Sequence, residues 1–90
     1  MKALQTYIDN QNRWNAIFKG EQLSLQSAAD RQRIAQSLDA DLSPENLTCD
    51  GELSRQEIRM RYDFLQEAAL QLNKLDPVAA KAIYELYTGE

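Results

Sequence analysis

The sequence predicts an all-α protein: a small antiparallel helical bundle of three long helices and one shorter C-terminal helix, plus a one-turn helix near residues 44–47. Apolar residues recur at intervals of three and four along most of the chain. Residues typical of helix ends separate these periodic stretches. Connections between them are short, and 90 residues is an ordinary length for one domain, so residues 1–90 are predicted to form a single helical domain.

The first predicted helix extends from Lys2 to Lys19, and Gly20 is its expected C-terminal cap. Its apolar stripe, expected to be buried, consists of Leu4, Tyr7, Ile8, Gln11, Trp14, Ile17 and Phe18. The polar residues expected to face water on the other side are Asn10, Asn12, Arg13 and Asn15. Because aromatic side chains fill cores more often than they remain exposed, we expect Tyr7, Trp14 and Phe18 to be core residues. A position at a dimer interface is the alternative.

The second predicted helix begins after Ser24 or Ser27, since serine is a favoured N-cap. Its narrow stripe of mostly small apolar residues comprises Leu25, Ala28, Ala29, Ile34, Ala35 and Leu38. Ser43 and Pro44 then predict a single capped turn that ends at Leu47, because proline suits the first position of a helix. Asp50 followed by Gly51 indicates a further turn.

The third predicted helix has the clearest start in the chain. Ser54 and Glu57 have the spacing of a capping box. Leu53 and Ile58, which flank that box, have the spacing of a hydrophobic staple. Two adjacent apolar stripes follow, formed by Ile58, Tyr62, Leu65, Ala69 and Leu72 and by Phe64, Ala68 and Leu75. Two stripes imply packing on two sides, so this helix is predicted to be the centre of the fold.

A fourth helix is predicted from Pro77 to about Thr88, with Asp76 as its N-cap. Its expected buried residues are Val78, Ala79, Ala82, Ile83 and Leu86. Tyr84 and Tyr87 lie three residues apart near its end, and tyrosine tolerates partial burial at the rim of an interface.

The charge balance is acidic, with 14 acidic against 10 basic residues and a formal charge of −4. This balance disfavours broad binding to nucleic acid or anionic lipid. Cys49 is the single cysteine, so no internal disulfide is expected, and the N-terminal residues lack the apolar core of a signal peptide. No run of consecutive apolar residues approaches the length needed to span a membrane. We expect a cytoplasmic protein without a membrane partner.

The residue types needed for catalysis are scarce. Histidine is absent, which removes the commonest general base and transition-metal ligand. The Asp50 carboxylate next to Cys49 disfavours a reactive thiolate, and the three glycines are too far apart to form a phosphate-binding loop. The sequence therefore predicts a protein that is not an enzyme and has no cofactor.

An acidic segment lies in the middle of the chain, formed by Asp39, Asp41, Glu45, Asp50 and Glu52. The alternation of oxygen-bearing side chains at its start is like that of a calcium-binding loop. However, Pro44 stands where such a loop requires glycine, Leu47 replaces a polar ligand, and Asp50 replaces the bidentate glutamate. We expect a solvated acidic connection and no metal site.

Arg55, Arg59 and Arg61 follow this segment at the start of the third predicted helix. Basic residues near a helix N-terminus oppose the helix dipole, so local helix energetics do not explain them. Ion pairs with Glu52, Asp63 or the acidic connection are one explanation. Docking of an acidic partner or a phosphate backbone is the other, because the guanidinium group suits both.

These observations favour a non-enzymatic helical protein–protein interaction module, such as an inhibitor, adaptor or accessory factor. The predicted contact residues form a charged face around residues 39–61, comprising Asp39, Asp41, Glu45, Asp50, Glu52, Arg55, Arg59 and Arg61. The alternatives are a nucleic-acid-linked regulator that uses the three arginines and an acidic mimic of nucleic acid. A homodimer also remains open.

Overall fold

All regular secondary structure is helical in the part of the chain that the computed structural model describes, which is residues 2–48, 51 and 53–83. Within these residues there are four α-helices, one 3-10 turn and no strand. The elements are α1 (Lys2–Ile17), α2 (Ala28–Asp41), α3 (Pro44–Leu47), α4 (Arg55–Leu75) and the 3-10 turn (Ala79–Ala82). The predicted all-α bundle is confirmed.

Serine caps start three of these helices, as the sequence predicts. The Oγ of Ser27 accepts a hydrogen bond from the backbone N–H three residues later, and Ser43 and Ser54 cap α3 and α4 in the same way. Of the two candidate caps for α2, Ser24 instead accepts a bond from the N–H of Gln26 at 3.1 Å within the preceding loop. Each cap satisfies a backbone donor that the first turn of a helix leaves without a partner.

Helix α4 lies at the centre of the fold and contacts every other element. The N–H of Leu4 donates to Oε1 of Gln71 at 2.9 Å, so the start of α1 lies beside the end of α4. The Nε of Arg31 lies 2.6 Å from Oδ2 of Asp76, and this ion pair brings the start of α2 to the same end of α4. The largest fully buried side chains are Leu4, Ile34, Leu38 and Leu72. The predicted central position of this helix is therefore confirmed.

The C-terminal end of α1 differs from the prediction. The helix ends at Ile17, two residues early, and Lys19 rather than Gly20 has the left-handed backbone, with φ 55°. The N–H of Gly20 donates to the carbonyl of Asn15 at 2.6 Å, and that of Lys19 donates to Ala16 at 3.2 Å. These two bonds form a Schellman motif, in which glycine is the usual left-handed residue. Here a lysine adopts that conformation.

The segment after α4 begins as predicted but with a tighter turn. Asp76 Oδ1 accepts a hydrogen bond from the N–H of Ala79 at 3.0 Å, and the chain then forms a 3-10 turn instead of an α-helix. Ala79 and Ile83 are buried, as expected, whereas Val78 is 79% exposed, so its predicted burial is wrong. The predicted continuation to Thr88, including Tyr84, Leu86 and Tyr87, lies outside the described residues.

The carboxylate of Asp76 makes the stability of the folded chain depend on pH. Hydrogen bonding from the Ala79 N–H, followed by that from Arg31, lowers the pKa of the Asp76 carboxyl below its ordinary value. Because the folded-state pKa is the lower one, this contribution is complete above the unfolded-state pKa of about 4 and is lost as the pH falls through the folded value. Asp76→Asn keeps a capping side chain without the charge. Urea unfolding between pH 6 and pH 2 should therefore show a smaller loss of stability for the variant, and parallel curves would contradict this role.

Candidate functional site

The aromatic stripe of α1 is divided into a buried half and an exposed half, and Tyr7 anchors the buried half. Its side chain is 4% exposed. The hydroxyl donates to Oδ2 of Asp41 at 2.6 Å and lies 2.6 Å from Oγ of Ser37, both near the end of α2. Burial, together with the bond to Asp41, raises the pKa of Tyr7 above its ordinary value, so the phenol stays neutral. Tyr7 therefore fixes α1 to α2, and its predicted core position is confirmed.

The exposed half consists of Trp14, Ile17 and Phe18, which we call the apolar patch. These side chains are 61%, 66% and 67% exposed. The rings of Trp14 and Phe18 form an edge-to-face pair with centroids 5.1 Å apart and planes at 67°. The predicted burial of these three residues is wrong. The end of α1, with the residue that follows it, thus presents an aromatic pair to solvent.

The loop that follows α1 explains this exposure. Asn12 Nδ2 donates to the carbonyl of Leu23 at 2.8 Å, and its Oδ1 accepts from the N–H of Leu23 at 2.6 Å. Asn15 Nδ2 also donates to the carbonyl of Glu21 at 3.0 Å. Asn12 and Trp14 are two positions apart on a helix and so point to nearly opposite sides. The loop is therefore held on the asparagine side of α1, and the prediction that Asn12 and Asn15 face only water is wrong.

A cleft of about 330 Å³ lies one helical turn before the apolar patch, between α1, α3, α4 and the last residue of α2. It is lined by Tyr7, Asn10, Gln11, Asp41, Asn46, Arg61, Phe64 and Leu65. The structure thus brings together Asp41 and Arg61, two of the predicted contact residues that are far apart in sequence. Asn10 lies four residues before Trp14, so the cleft and the apolar patch are neighbours along α1.

The other described residues of the predicted charged face do not line this cleft. Asp39, Glu45 and Arg55 are exposed. The Nε of Arg59 lies 3.3 Å from Oδ1 of Asp63 in an exposed pair one helical turn apart, so an ion pair with Asp63 accounts for this arginine. The remaining predicted contact residues, Asp50 and Glu52, lie outside the described residues, as does Cys49.

The surroundings of the apolar patch are basic. Arg13 and Lys19, which flank it in sequence, are both exposed. Between Asn10 and Gly20 these are the only charged residues, so all 14 acidic residues of the chain lie outside this segment. The first acidic residue after it, Glu21, forms an ion pair with Arg33 at 2.9 Å. Along the chain the apolar patch is therefore flanked by two basic residues, with Asp9 one helical turn before Arg13, on a protein whose overall charge is negative.

Sequence reasoning assigned none of the apolar patch to the predicted contact surface. Two signals pointed to it: the absence of acidic residues around Trp14, and asparagines at positions 12 and 15 just before the end of a helix. Asparagine side chains frequently bond to backbone groups near turns.

Metal binding and membrane insertion have no support from the described residues. Among them, no group of three or more histidine, cysteine, aspartate or glutamate residues is placed to hold a metal ion. Asp41, one of the candidate calcium ligands, accepts the hydroxyl of Tyr7. Within the same residues, no helix combines the length and the apolar character needed to cross a membrane.

Comparison with protein-family models, with curated proteins and with solved structures found no match.

Asn12→Ala tests the bonds that hold the loop. The substitution removes two hydrogen bonds to Leu23, which together contribute about 1 to 2 kcal/mol. Asn10→Ala is the matched control, because it makes the same change at an exposed position of α1 and alters helix propensity equally. Urea unfolding should show Asn12→Ala to be less stable than Asn10→Ala by about 1 to 2 kcal/mol. Equal stability of the two variants would contradict the proposed role of Asn12.

Proposed function

We propose that this protein is a non-enzymatic protein–protein interaction module and that the apolar patch is the centre of its contact surface. The observation that carries the proposal is the exposure of Trp14, Ile17 and Phe18, each more than 60% accessible. An aromatic side chain presents roughly 150–250 Å² in all, so the patch exposes on the order of 300–400 Å². Contiguous apolar surface of this size on a small protein is often functional.

The geometry of the patch suits an interface. Trp14 lies on the last turn of α1 and Phe18 directly follows its end, and their edge-to-face contact restrains both rings. Large, restrained aromatic side chains lose little conformational freedom on binding and account for much of the binding energy in many interfaces. The adjacent cleft adds polar groups at one side of the patch, including Asp41 and Arg61. A buried apolar centre with a polar rim is the usual arrangement of a protein interface.

We propose that residues of the predicted charged face around 39–61 form part of the polar rim of this contact surface. Asp41 and Arg61 border the patch through the cleft, and Asp39, Glu45 and Arg55 are exposed farther away. The absence of histidine from the sequence supports a role without catalysis. A cytoplasmic inhibitor, adaptor or accessory factor agrees with the single cysteine and the acidic composition.

Comparative capture from cells of the source organism tests the proposal. Immobilised wild-type protein is compared with Trp14→Ser/Phe18→Ser, and Met60→Ser/Val78→Ser is the matched control because those apolar side chains are exposed elsewhere, at 62% and 79%. We expect a specific protein to be captured by the wild type and the control and to be lost with the patch variant. All three proteins should have similar melting temperatures, because exposed side chains contribute little to the core. Equal capture by the patch variant would contradict the assignment of the surface.

A further inference from the structure

We propose that the partner presents an acidic helix with an apolar stripe, and that this helix lies along α1 over the apolar patch. This inference rests on the proposed function and adds the chemistry of the partner. The apolar stripe would cover Trp14, Ile17 and Phe18, and the acidic side chains would lie near Arg13 and Lys19.

Charge complementarity is the first argument. Arg13 immediately precedes Trp14, Lys19 immediately follows Phe18, and both are exposed. No acidic residue lies between Asn10 and Gly20, and Asp9, one helical turn before Arg13, accepts a hydrogen bond from Gln5 at 2.9 Å. Complementary charges at the rim of an interface speed association and exclude like-charged partners. Carboxylates at the border of an apolar contact are therefore the expected complement.

The backbone of Lys19 supports the same conclusion. Its φ of 55° places it in the left-handed region, where a side chain other than glycine costs about 1 to 2 kcal/mol. Glycine is the usual residue at this position of a Schellman motif, and the chain has a glycine only one residue later. Lys19 gains in part from the negative end of the helix dipole. Its charge also lies directly beside the patch, where an acidic partner would meet it.

The cleft extends this surface toward α4. The side-chain amides of Asn10 and Gln11 line it about one turn before Trp14, and the carboxylate of Asp41, which accepts the hydroxyl of Tyr7, lines it as well. The two amides provide hydrogen-bond donors and acceptors for a polar side chain on the next turn of a helix that lies along α1. Gln11, Trp14 and Phe18 follow one another at intervals of three and four residues, so they form one row along α1 and its end. An amphipathic helix, whose own anchors are spaced three and four residues apart, can lie along such a row.

A second copy of the chain fits this surface less well. Symmetric pairing would place Arg13 and Lys19 of one copy against the same residues of the other. The patch of roughly 300–400 Å² is also well below the roughly 800 Å² that each subunit usually buries in a stable interface. An anionic membrane is disfavoured because interfacial helices are generally rich in lysine and arginine, whereas α1 contains two basic residues, Lys2 and Arg13, and one acidic residue, Asp9.

Binding of designed helical peptides tests the inference. The probe is a fluorescein-labelled peptide of about 18 residues, long enough to be helical, with leucines along one face and glutamates elsewhere. Its twin carries lysine in place of each glutamate. We expect fluorescence anisotropy to show binding of the acidic peptide at least about tenfold tighter than that of its twin.

Two pairs of variants separate the contributions. Trp14→Ala/Phe18→Ala should weaken the acidic peptide by at least about tenfold. Arg13→Gln/Lys19→Asn should weaken it by about fivefold, and asparagine tolerates the left-handed conformation at position 19. Lys2→Gln/Lys74→Gln is the matched control, because it removes the same charge from exposed sites at the other end of the bundle. The control should bind as tightly as the wild type.

The outcomes distinguish this inference from the proposed function. Equal binding of both peptides, lost with Trp14→Ala/Phe18→Ala, would overturn the acidic partner and leave the interaction surface standing. No binding of the acidic peptide would also overturn the inference, while the capture experiment tests the surface independently. Self-association through the patch in sedimentation, or Trp14-dependent binding to phosphatidylserine vesicles but not to the peptide, would overturn it as well. So would shielding of the patch by residues 84–90 in the free chain, revealed by tighter peptide binding once they are deleted.

Discussion

The pair of hydrogen bonds between the Asn12 side chain and the backbone of Leu23 determines which part of α1 is covered. The Asn12 side chain accepts from the N–H of Leu23 at 2.6 Å and donates to its carbonyl at 2.8 Å. Both backbone groups of Leu23 are therefore paired, as they would be in a β-sheet. Together they are worth about 1 to 2 kcal/mol, a substantial fraction of the stability of a small domain. Because they hold the loop on one side of the helix, Trp14, Ile17 and Phe18 remain open to solvent on the other.

The packing of the rest of the fold depends on α4 and on the first half of α1. Helix α4 provides the surface on which the other elements pack, and Tyr7 joins α1 to the end of α2 through Asp41 and Ser37. The buried side chains of α1, those of Leu4, Tyr7 and Ile8, all lie in its first half. In its second half the asparagines hold the loop, and Trp14 and Ile17 are exposed.

Local sequence signals predicted the elements well. The three serine caps, the proline at the start of α3 and the double stripe of α4 each act within a few residues, so they can be recognised without knowledge of the fold. The burial of Tyr7 was predicted correctly, whereas the burial of Trp14 and Phe18 was not. Periodicity identifies the apolar side of a helix, but it does not reveal whether another element covers that side. The same limit applies to Val78. The bonds from Asn12 span eleven residues and connect a side chain to a loop backbone, a contact that no local pattern encodes.

Of the predicted charged face, only Asp41 and Arg61 line the cleft. The exposure of the apolar patch next to the cleft was not predicted.

Fluorescence quenching of the single tryptophan tests the central claim most directly, since Trp14 itself is the reporter. The indole is 61% exposed in the folded chain. Its emission maximum and its quenching by acrylamide should therefore be close to those of the chain unfolded in urea, while circular dichroism confirms that the helices are intact. Blue-shifted emission and strong protection from acrylamide in the native protein would show that the stripe is packed inside the fold, and would contradict the account.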